Sequence, residues 1–231
     1  RELATAIGVS ESTLKRWTDD GLINATRTAG GHRRIPLAEA IRFVRATRTR
    51  VVNPSILQLG DLPGPEAPLN GNGMDRVEQV HRALEEGAEM PLRGLVTSFF
   101  LDGMPMSELC DGLLTPAMHR IGELWRSRKD GVFIEHRATD LCIHLLNHLR
   151  SLIEVPEDAP VAVGGGPSGD PYLLASLMAA TCLADAGIRA VNLGADTPAE
   201  AFEHALDAHD ARLAWLSLSA PVAAPLMQEI L

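Results

Sequence analysis

The sequence contains no hydrophobic run approaching the ~18–20 residues needed to span a bilayer, and it does not open with a signal-peptide pattern. These absences argue against a membrane or secreted protein and predict a cytoplasmic one. Cysteine is scarce as well, with three residues in the chain. Cys110, Cys142 and Cys182 are odd in number, widely spaced and set among apolar neighbours. This usage predicts reduced, buried thiols and excludes a disulfide scaffold.

The composition also lacks excess positive charge. The net charge of −9 over 231 residues argues, taken as one number, against a nucleic-acid partner. The distribution reverses this conclusion, because residues 1–50 hold ten Lys/Arg and five Asp/Glu, a net charge of +5. The remainder holds 11 basic and 25 acidic residues, a net charge of −14. A basic head on an acidic body is typical of a nucleic-acid-binding module joined to another domain.

Proline and glycine are concentrated between the head and the body, over residues 51–73, where hydrophobic periodicity is absent. This segment is predicted to be a linker. The resulting domain prediction is a DNA-binding domain at 1–50, the linker at 51–73, a helical domain at 74–155 and an α/β domain at 156–231.

The helical domain shows apolar residues at i, i+3 and i+4 in four successive stretches. Four amphipathic helices with short connections predict a four-helix bundle, with a break or kink at Pro116 in the third helix.

After Pro156 short apolar strands alternate with helices, which predicts a doubly wound, Rossmann-like parallel sheet. Such sheets usually have five or six strands, so we expect this domain to continue beyond Leu231, and a chain that starts at Arg1 to be part of a longer product. The predicted strands are 160–164, 188–193 and 213–218, and the predicted helices are 172–186 and 198–209.

The basic head is predicted to form a helix-turn-helix followed by a wing. A short helix over Leu3–Gly8 precedes Ser10, a good N-cap for a second helix that Gly21 would end. Leu14 and Trp17 are predicted to face the core, and a Gly-Gly turn predicts a basic hairpin over 26–34. The polar positions left for the DNA groove on the second helix are Ser12, Thr13, Lys15 and Arg16.

The stretches ELATAIGVSESTLKRWTDDGLI and RTAGGHRRI resemble the MerR family of winged-helix transcription factors, over about residues 1–46. The resemblance implies that a double-stranded DNA operator is the partner and that Arg16 and its neighbours read base edges. It also implies that four wing residues grip phosphates or the minor groove, namely Arg27, His32, Arg33 and Arg34. The alternative interpretation is a solvated basic surface.

In the helical domain, Trp125 is followed nine residues later by Glu135-His136. The spacing alone also fits a core tryptophan and a glutamate favoured by the helix dipole. Together with the domain order, however, it resembles the CarH/LitR-type regulators, which are MerR-headed, adenosylcobalamin-binding photoreceptor repressors. The resemblance implies that Trp125, Glu135 and His136 line the upper face of the corrin. It also implies that Ser217 and Ser219 lie at the ligand-binding carboxyl edge of the sheet.

The sheet domain departs from that family in the loop after its first strand, where the family pattern is (Asp/Glu)-x-His-x-x-Gly and the His is the lower axial cobalt ligand. Here Asp170 matches, but Tyr172 stands in place of the His and Ala175 in place of the Gly. A phenol must lose its proton before it becomes a good metal ligand, so no metal ligand is assigned. Three hypotheses stay open: cobalamin bound without His ligation, another large planar ligand such as a related tetrapyrrole, or no ligand.

An enzyme is not expected. The letters Gly164-x-Gly166-x-x-Gly169 fit a dinucleotide fingerprint, but prolines stiffen this loop and Asp196 comes later than the usual acidic residue. The sequence therefore favours a transcriptional regulator that senses adenosylcobalamin or a related tetrapyrrole. The resemblance implies that it is a repressor and that it depends on light. We expect it to act as a homo-oligomer, a dimer or a tetramer. One alternative is a regulator that has lost cobalamin binding and is controlled by a protein partner. A more remote alternative is a nucleotide-binding enzyme.

Overall fold

The structure is a computed structural model that describes residues 1–27, 30, 33–60, 62 and 75–219. The chain divides into two compact units. The first unit comprises Arg1–Leu141 and Ser151–Ile153, and the second comprises Cys142–Arg150 and the residues from Glu154 onward.

The head has the predicted helix-turn-helix and wing. Ser10 caps the second helix, since its Oγ accepts a hydrogen bond from the Thr13 backbone N–H at 3.1 Å. Leu14 is buried, and the Trp17 ring lies 5.2 Å from the ring of Phe43, so both predicted core residues pack inward. The elements are α1 (Glu2–Ile7), α2 (Glu11–Asp19), β1 (Thr26–Arg27), β2 (Arg33–Arg34) and α3 (Leu37–Thr47).

The first part of the predicted linker packs onto the head. The backbone N–H groups of Val52 and Asn53 donate to the Ala6 carbonyl at 2.8 and 3.0 Å, and a 3₁₀ turn follows over Pro54–Leu57. The side chains of Leu57 and Leu59 are buried. Packed structure therefore extends to residue 60, which the sequence did not indicate because two apolar side chains make no periodic pattern. Most of the remaining linker, 61 and 63–73, lies outside the described residues.

A buried carboxylate holds the chain between α2 and β1. Glu39 is buried, with 6% of its side chain exposed. Its Oε1 accepts the Asn24 backbone N–H at 2.7 Å, and both of its oxygens accept bonds from the Arg42 guanidinium at 2.5–2.6 Å. Arg42 in turn donates to the Leu22 carbonyl at 3.2 Å. The hydrogen bond from Arg42 is the main reason that the pKa of Glu39 lies below its usual value.

We expect Glu39→Gln to weaken the head in a pH-dependent way. Because the pKa of Glu39 is lowered in the folded state, its stabilising contribution is complete above the unfolded pKa near 4.5 and is lost as the pH falls through the folded pKa. The variant should lose about 1–3 kcal/mol of unfolding free energy at pH 7 and much less near pH 3. Urea unfolding of the full chain across this range measures the difference. The exposed Glu11→Gln serves as control, and equal losses at both pH values would contradict the expectation.

The head is attached to the helical region through Arg45 on α3. The Arg45 guanidinium lies 3.7 Å from the Phe100 ring centroid, and its Nε donates to the Phe100 carbonyl at 3.0 Å. A second, longer bond of 3.4 Å runs from Nη2 to the Met104 carbonyl. One side chain therefore combines a cation–π contact with hydrogen bonds across this junction.

The helical region confirms the four predicted helices. Pro116 lies in the first turn of α6, where its missing N–H is tolerated, and a π-helical segment (Glu108–Leu114) immediately precedes it. The predicted break thus takes the form of a change in helix type. The helices are α4 (Arg76–Glu86), α5 (Glu89–Leu101), α6 (Thr115–Glu123) and α7 (Gly131–Ser151), and α4 packs against both α5 and α6.

The second unit contains the predicted parallel sheet, with strand order β4-β3-β5. After β3 the chain passes through α8 to one side of that strand, and after β4 it passes through α9 to the other side. The carboxyl ends of β3 and β5 therefore flank a topological switch point, where doubly wound sheets bind ligands. The elements are β3 (Val161–Gly165), α8 (Leu174–Asp185), β4 (Arg189–Asn192), α9 (Ala199–Ala208) and β5 (Leu213–Leu216).

The thiols agree with the sequence prediction at two of three positions. Cys110 and Cys142 are buried, and burial raises the pKa of the Cys142 thiol to about 12, so it stays protonated. Cys182 is only partly buried, contrary to the prediction, because α8 covers the sheet with its other face.

Candidate DNA interface and candidate cofactor site

The recognition helix α2 presents two free cations. Lys15 and Arg16 are exposed, and neither forms an ion pair within the described part of the chain. The hydroxyls of Ser12 and Thr13 instead lie 2.8 and 2.9 Å from the Ser10 Oγ, within the capping cluster. Lys15 and Arg16 are thus more available for DNA than the two hydroxyls.

The wing residues fall into two groups. Arg27 and Arg34 are exposed and have no ion-pair partner among the described residues, whereas Arg33 reaches back to α2 and pairs with Asp19. The hairpin register places Arg27 opposite Arg33 and Thr26 opposite Arg34. The predicted contact by His32 lies outside the described residues.

In the helical region, Trp125 stands beside the first turn of α7. It belongs to a 3₁₀ turn (Leu124–Arg126), and a Cβ on Gly131 would lie 2.5 Å from the Trp125 Cα and backbone N. Glu135 and His136 lie on α7, about 6–8 Å along the helix axis from Gly131. The structure therefore brings the predicted tryptophan and the Glu-His pair to the same end of the helical region.

This end carries an exposed apolar surface, which we call the Trp125 patch and define as Trp125, Val132 and Phe133. These residues are 56, 56 and 62% exposed, respectively. Large apolar side chains exposed together on a soluble protein mark an interaction or ligand surface. Val132 and Phe133 were not predicted as site residues, although two apolar residues just before the predicted Glu135-His136 pair were a usable signal.

Two arginines fix the position of the patch. The Nη2 of Arg137 donates to the Glu85 carbonyl at the end of α4 at 2.6 Å, and its guanidinium lies 5.1 Å from the Phe133 ring centroid. Arg128 forms an ion pair with the Glu85 carboxylate at 2.6 Å. It also forms a bidentate ion pair with Asp130, through Nε and Nη2. The turn between α6 and α7 is therefore held by charge-assisted bonds to the end of α4.

In the second unit, Asp170 organises the loop after β3. Its side chain is fully buried; Oδ1 accepts the Tyr172 backbone N–H at 3.0 Å and Oδ2 accepts the Ser219 backbone N–H at 2.5 Å. The Ser217 backbone N–H bonds to the Gly165 carbonyl at 3.0 Å. All four predicted residues of this unit therefore lie together at the switch point, with the Tyr172 side chain 57% exposed.

The loop that follows β4 is hydrogen-bonded to the loop that follows β3. The Asp196 carboxylate accepts the Gly169 N–H at 2.7 Å, and the Thr197 N–H donates to the Gly166 carbonyl at 2.9 Å. Gly164 lies inside β3 rather than in the turn after it. The glycine pattern thus lacks the strand–turn–helix setting that a dinucleotide fingerprint needs.

Among the residues that the structure describes, no group of three or more His, Cys, Asp or Glu is placed to hold a metal ion. The helices of this part of the chain include none with the length and hydropathy of a membrane span.

The sequence matches two family models. Residues 1–35 match the MerR family regulatory protein model, and residues 76–150 match the B12 binding domain model. A similar curated protein is the HTH-type transcriptional repressor CarA of Myxococcus xanthus. It is 29% identical over 215 residues, which cover 89% of this chain and 70% of that protein.

Two solved structures are also similar. A cobalamin-binding protein from Desulfitobacterium hafniense DCB-2 is 17% identical, with a TM-score of 0.35, over 68% of this chain and 75% of that one. The methanol:cobalamin methyltransferase complex MtaBC from Methanosarcina barkeri is 19% identical, with a TM-score of 0.31. The match covers 80% of this chain and 73% of that one. At these scores the likeness carries no inference about ligand or activity.

The helix-turn-helix, the wing and the exposed cations of the head agree with the first family match, and the helices that carry the Trp125 patch coincide with the second. The head is therefore similar to MerR family regulatory proteins, and the helical region is similar to B12 binding domains.

Proposed function

We propose that this protein is a transcriptional repressor that senses a cobalamin and changes its oligomeric state, and hence its DNA affinity, when the ligand binds. The Trp125 patch carries the proposal, because three large apolar side chains are exposed within the region that matches the B12 binding domain. Joining or separating copies changes how many heads reach one operator together, and the gain in affinity from linked binding can be large. Repression is proposed by similarity to CarA.

The patch suits one face of a corrin. Apolar side chains can cover the flat macrocycle, while Glu135 and His136, one turn further along α7, supply polar atoms at its edge. A cobalamin bound there would supply visible absorption and, as an alkyl form, a light-sensitive cobalt–carbon bond. Light dependence is accordingly part of the proposal for an alkylated ligand.

The loop after β3 does not suit cobalt ligation by imidazole. Tyr172 occupies the position of the ligand, and the Asp170 carboxylate that would orient a histidine is already bonded to two backbone N–H groups. The residues present therefore favour a cobalamin held through the Trp125 patch and without a histidine on cobalt.

Absorption spectroscopy tests the proposal. The full chain is incubated in darkness with adenosylcobalamin, then with other cobalamins and tetrapyrroles, passed over a gel-filtration column, and measured before and after illumination. We expect a visible spectrum to co-elute with the protein, and Trp125→Ala to reduce retention at least tenfold. Absence of every spectrum would contradict cobalamin sensing.

A Tyr172→His variant provides a second arm of this experiment. An imidazole at this exposed position should shift the bound spectrum toward a histidine-ligated form. An unchanged spectrum in the bound state would place Tyr172 away from the cobalt.

A second candidate is a regulator without ligand that is controlled by a protein partner. The replacement of the axial histidine by Tyr172 favours it, and the Trp125 patch would then be the docking surface. Failure of every tetrapyrrole to co-elute, with DNA binding intact, would favour this candidate.

A further inference from the structure

Arg33, the first residue of β2, is bonded to the last turn of the recognition helix. Its Nη1 donates to the Thr18 Oγ1 at 2.6 Å and to the Lys15 carbonyl at 3.2 Å. Its Nη2 forms an ion pair with the Asp19 carboxylate. Three groups of α2 thus hold one wing side chain, which is only 28% exposed.

The chemistry of this contact suits a guanidinium. The Thr18 hydroxyl donates its proton to the Lys15 carbonyl at 2.7 Å, which leaves its lone pairs for Arg33. The carbonyl end of a helix carries partial negative charge, and the Asp19 carboxylate adds to it. Most of the donors that Arg33 could offer to a phosphate are therefore already engaged.

The hairpin register adds an electrostatic reason. Arg27 and Arg33 face each other directly across the two strands, and like charges at such positions destabilise a hairpin. Asp19 neutralises Arg33 and so reduces this repulsion. Arg27 and Arg34 stay exposed and without ion-pair partners among the described residues.

We infer that Arg33 is a positioning residue that fixes the wing on the recognition helix, and that Arg27 and Arg34 make the phosphate contacts. The inference rests on the proposed DNA-binding function of the head. It replaces the sequence-based hypothesis that Arg33 grips DNA, and it adds Thr18 and Asp19 to the residues on which DNA affinity depends.

The probe is a duplex selected by the full wild-type chain from a random 30-base-pair library, with affinity measured over a series of salt concentrations. Failure of the wild type to enrich any duplex would overturn the DNA-binding function itself. With an enriched duplex, Arg33→Lys, Asp19→Asn and Thr18→Val test the clamp, and Arg34→Gln is the matched phosphate-contact control. Far-ultraviolet circular dichroism verifies that each variant is folded.

We expect Arg33→Lys and Asp19→Asn each to weaken binding about tenfold or more, with the salt dependence unchanged. Lysine keeps the charge but cannot bridge Thr18 and Asp19 with a planar fork. Arg34→Gln should lower the slope of log affinity against log salt by about one. The double variant Arg33→Lys/Asp19→Asn should bind no more weakly than either single one.

The pattern expected of a phosphate contact would overturn the inference. A phosphate-contacting Arg33 predicts that Arg33→Lys keeps wild-type affinity and that Asp19→Asn, which removes a negative charge near DNA, binds as tightly as the wild type or more tightly. It also predicts that Arg33→Gln lowers the salt slope by about one, as Arg34→Gln does. Thr18→Val changes no charge and is the deciding variant if one of the charge variants does not fold. Unchanged DNA affinity of Thr18→Val would contradict the inference that Arg33 fixes the wing on α2.

Discussion

Replacing Gly164 by alanine is expected to disrupt the α/β unit. A Cβ at this position would lie 2.1 Å from the Trp215 Cδ2 and 2.3 Å from the Trp215 carbonyl oxygen. Gly164 and Trp215 are paired in register on neighbouring strands, so rotation of the indole cannot relieve the contact with the backbone oxygen. Strands β3 and β5 must separate, and we expect a loss of about 3 kcal/mol or more in unfolding free energy.

The matched control is Gly166→Ala, two residues further along the same segment. A Cβ there would meet its nearest atoms at 3.5–3.6 Å, which is ordinary van der Waals contact. Urea unfolding followed by circular dichroism should show a loss within about 1 kcal/mol for this control. Equal stability of the two variants would contradict the packing role of Gly164. The close approach of Trp215 accounts for the glycine at position 164 without a dinucleotide.

Local signals predicted most of the secondary structure. The N-cap at Ser10, the apolar pair Leu14 and Trp17, and the alternation of strands and helices after Pro156 each depend on neighbours in sequence, and the structure agrees with all of them. The positions of Trp125, Glu135 and His136 at one end of the helical region were predicted from spacing and helix geometry, because only a short turn separates them.

Long-range partners of polar side chains could not be predicted in this way. Arg33 was interpreted as a DNA contact because it is basic and lies in a wing, but its partner Asp19 lies on another element. Asp170 stays a prediction as a ligand-site residue, and its hydrogen bonds to the backbone N–H groups of Tyr172 and Ser219 were not predicted. Charge and residue type indicate what a side chain can bond, and only the fold decides which group is within reach.

Gly131→Ala is expected to impair the candidate cofactor site. The added Cβ would lie 2.5 Å from the Trp125 Cα and N and 2.6 Å from the Leu124 carbonyl carbon. All of these are backbone atoms, so α7 must move away from the turn that carries Trp125. We expect a loss of about 1–3 kcal/mol in unfolding free energy. Because Val132, Phe133 and Glu135 move with α7, retention of a bound tetrapyrrole should also fall, at least tenfold.

Gly122→Ala separates this steric effect from a general effect of adding a methyl group. Gly122 lies in α6, and a Cβ there would meet no atom within 4 Å. Since alanine is favoured over glycine in a helix by about 1 kcal/mol, this variant should be as stable as the wild type or more stable, with unchanged ligand retention. If Gly131→Ala loses stability but retains the ligand as the wild type does, the close approach of α7 to Trp125 supports the fold alone. If it loses ligand as expected while Gly122→Ala does not, the turn at Gly131 sets the geometry of the Trp125 patch.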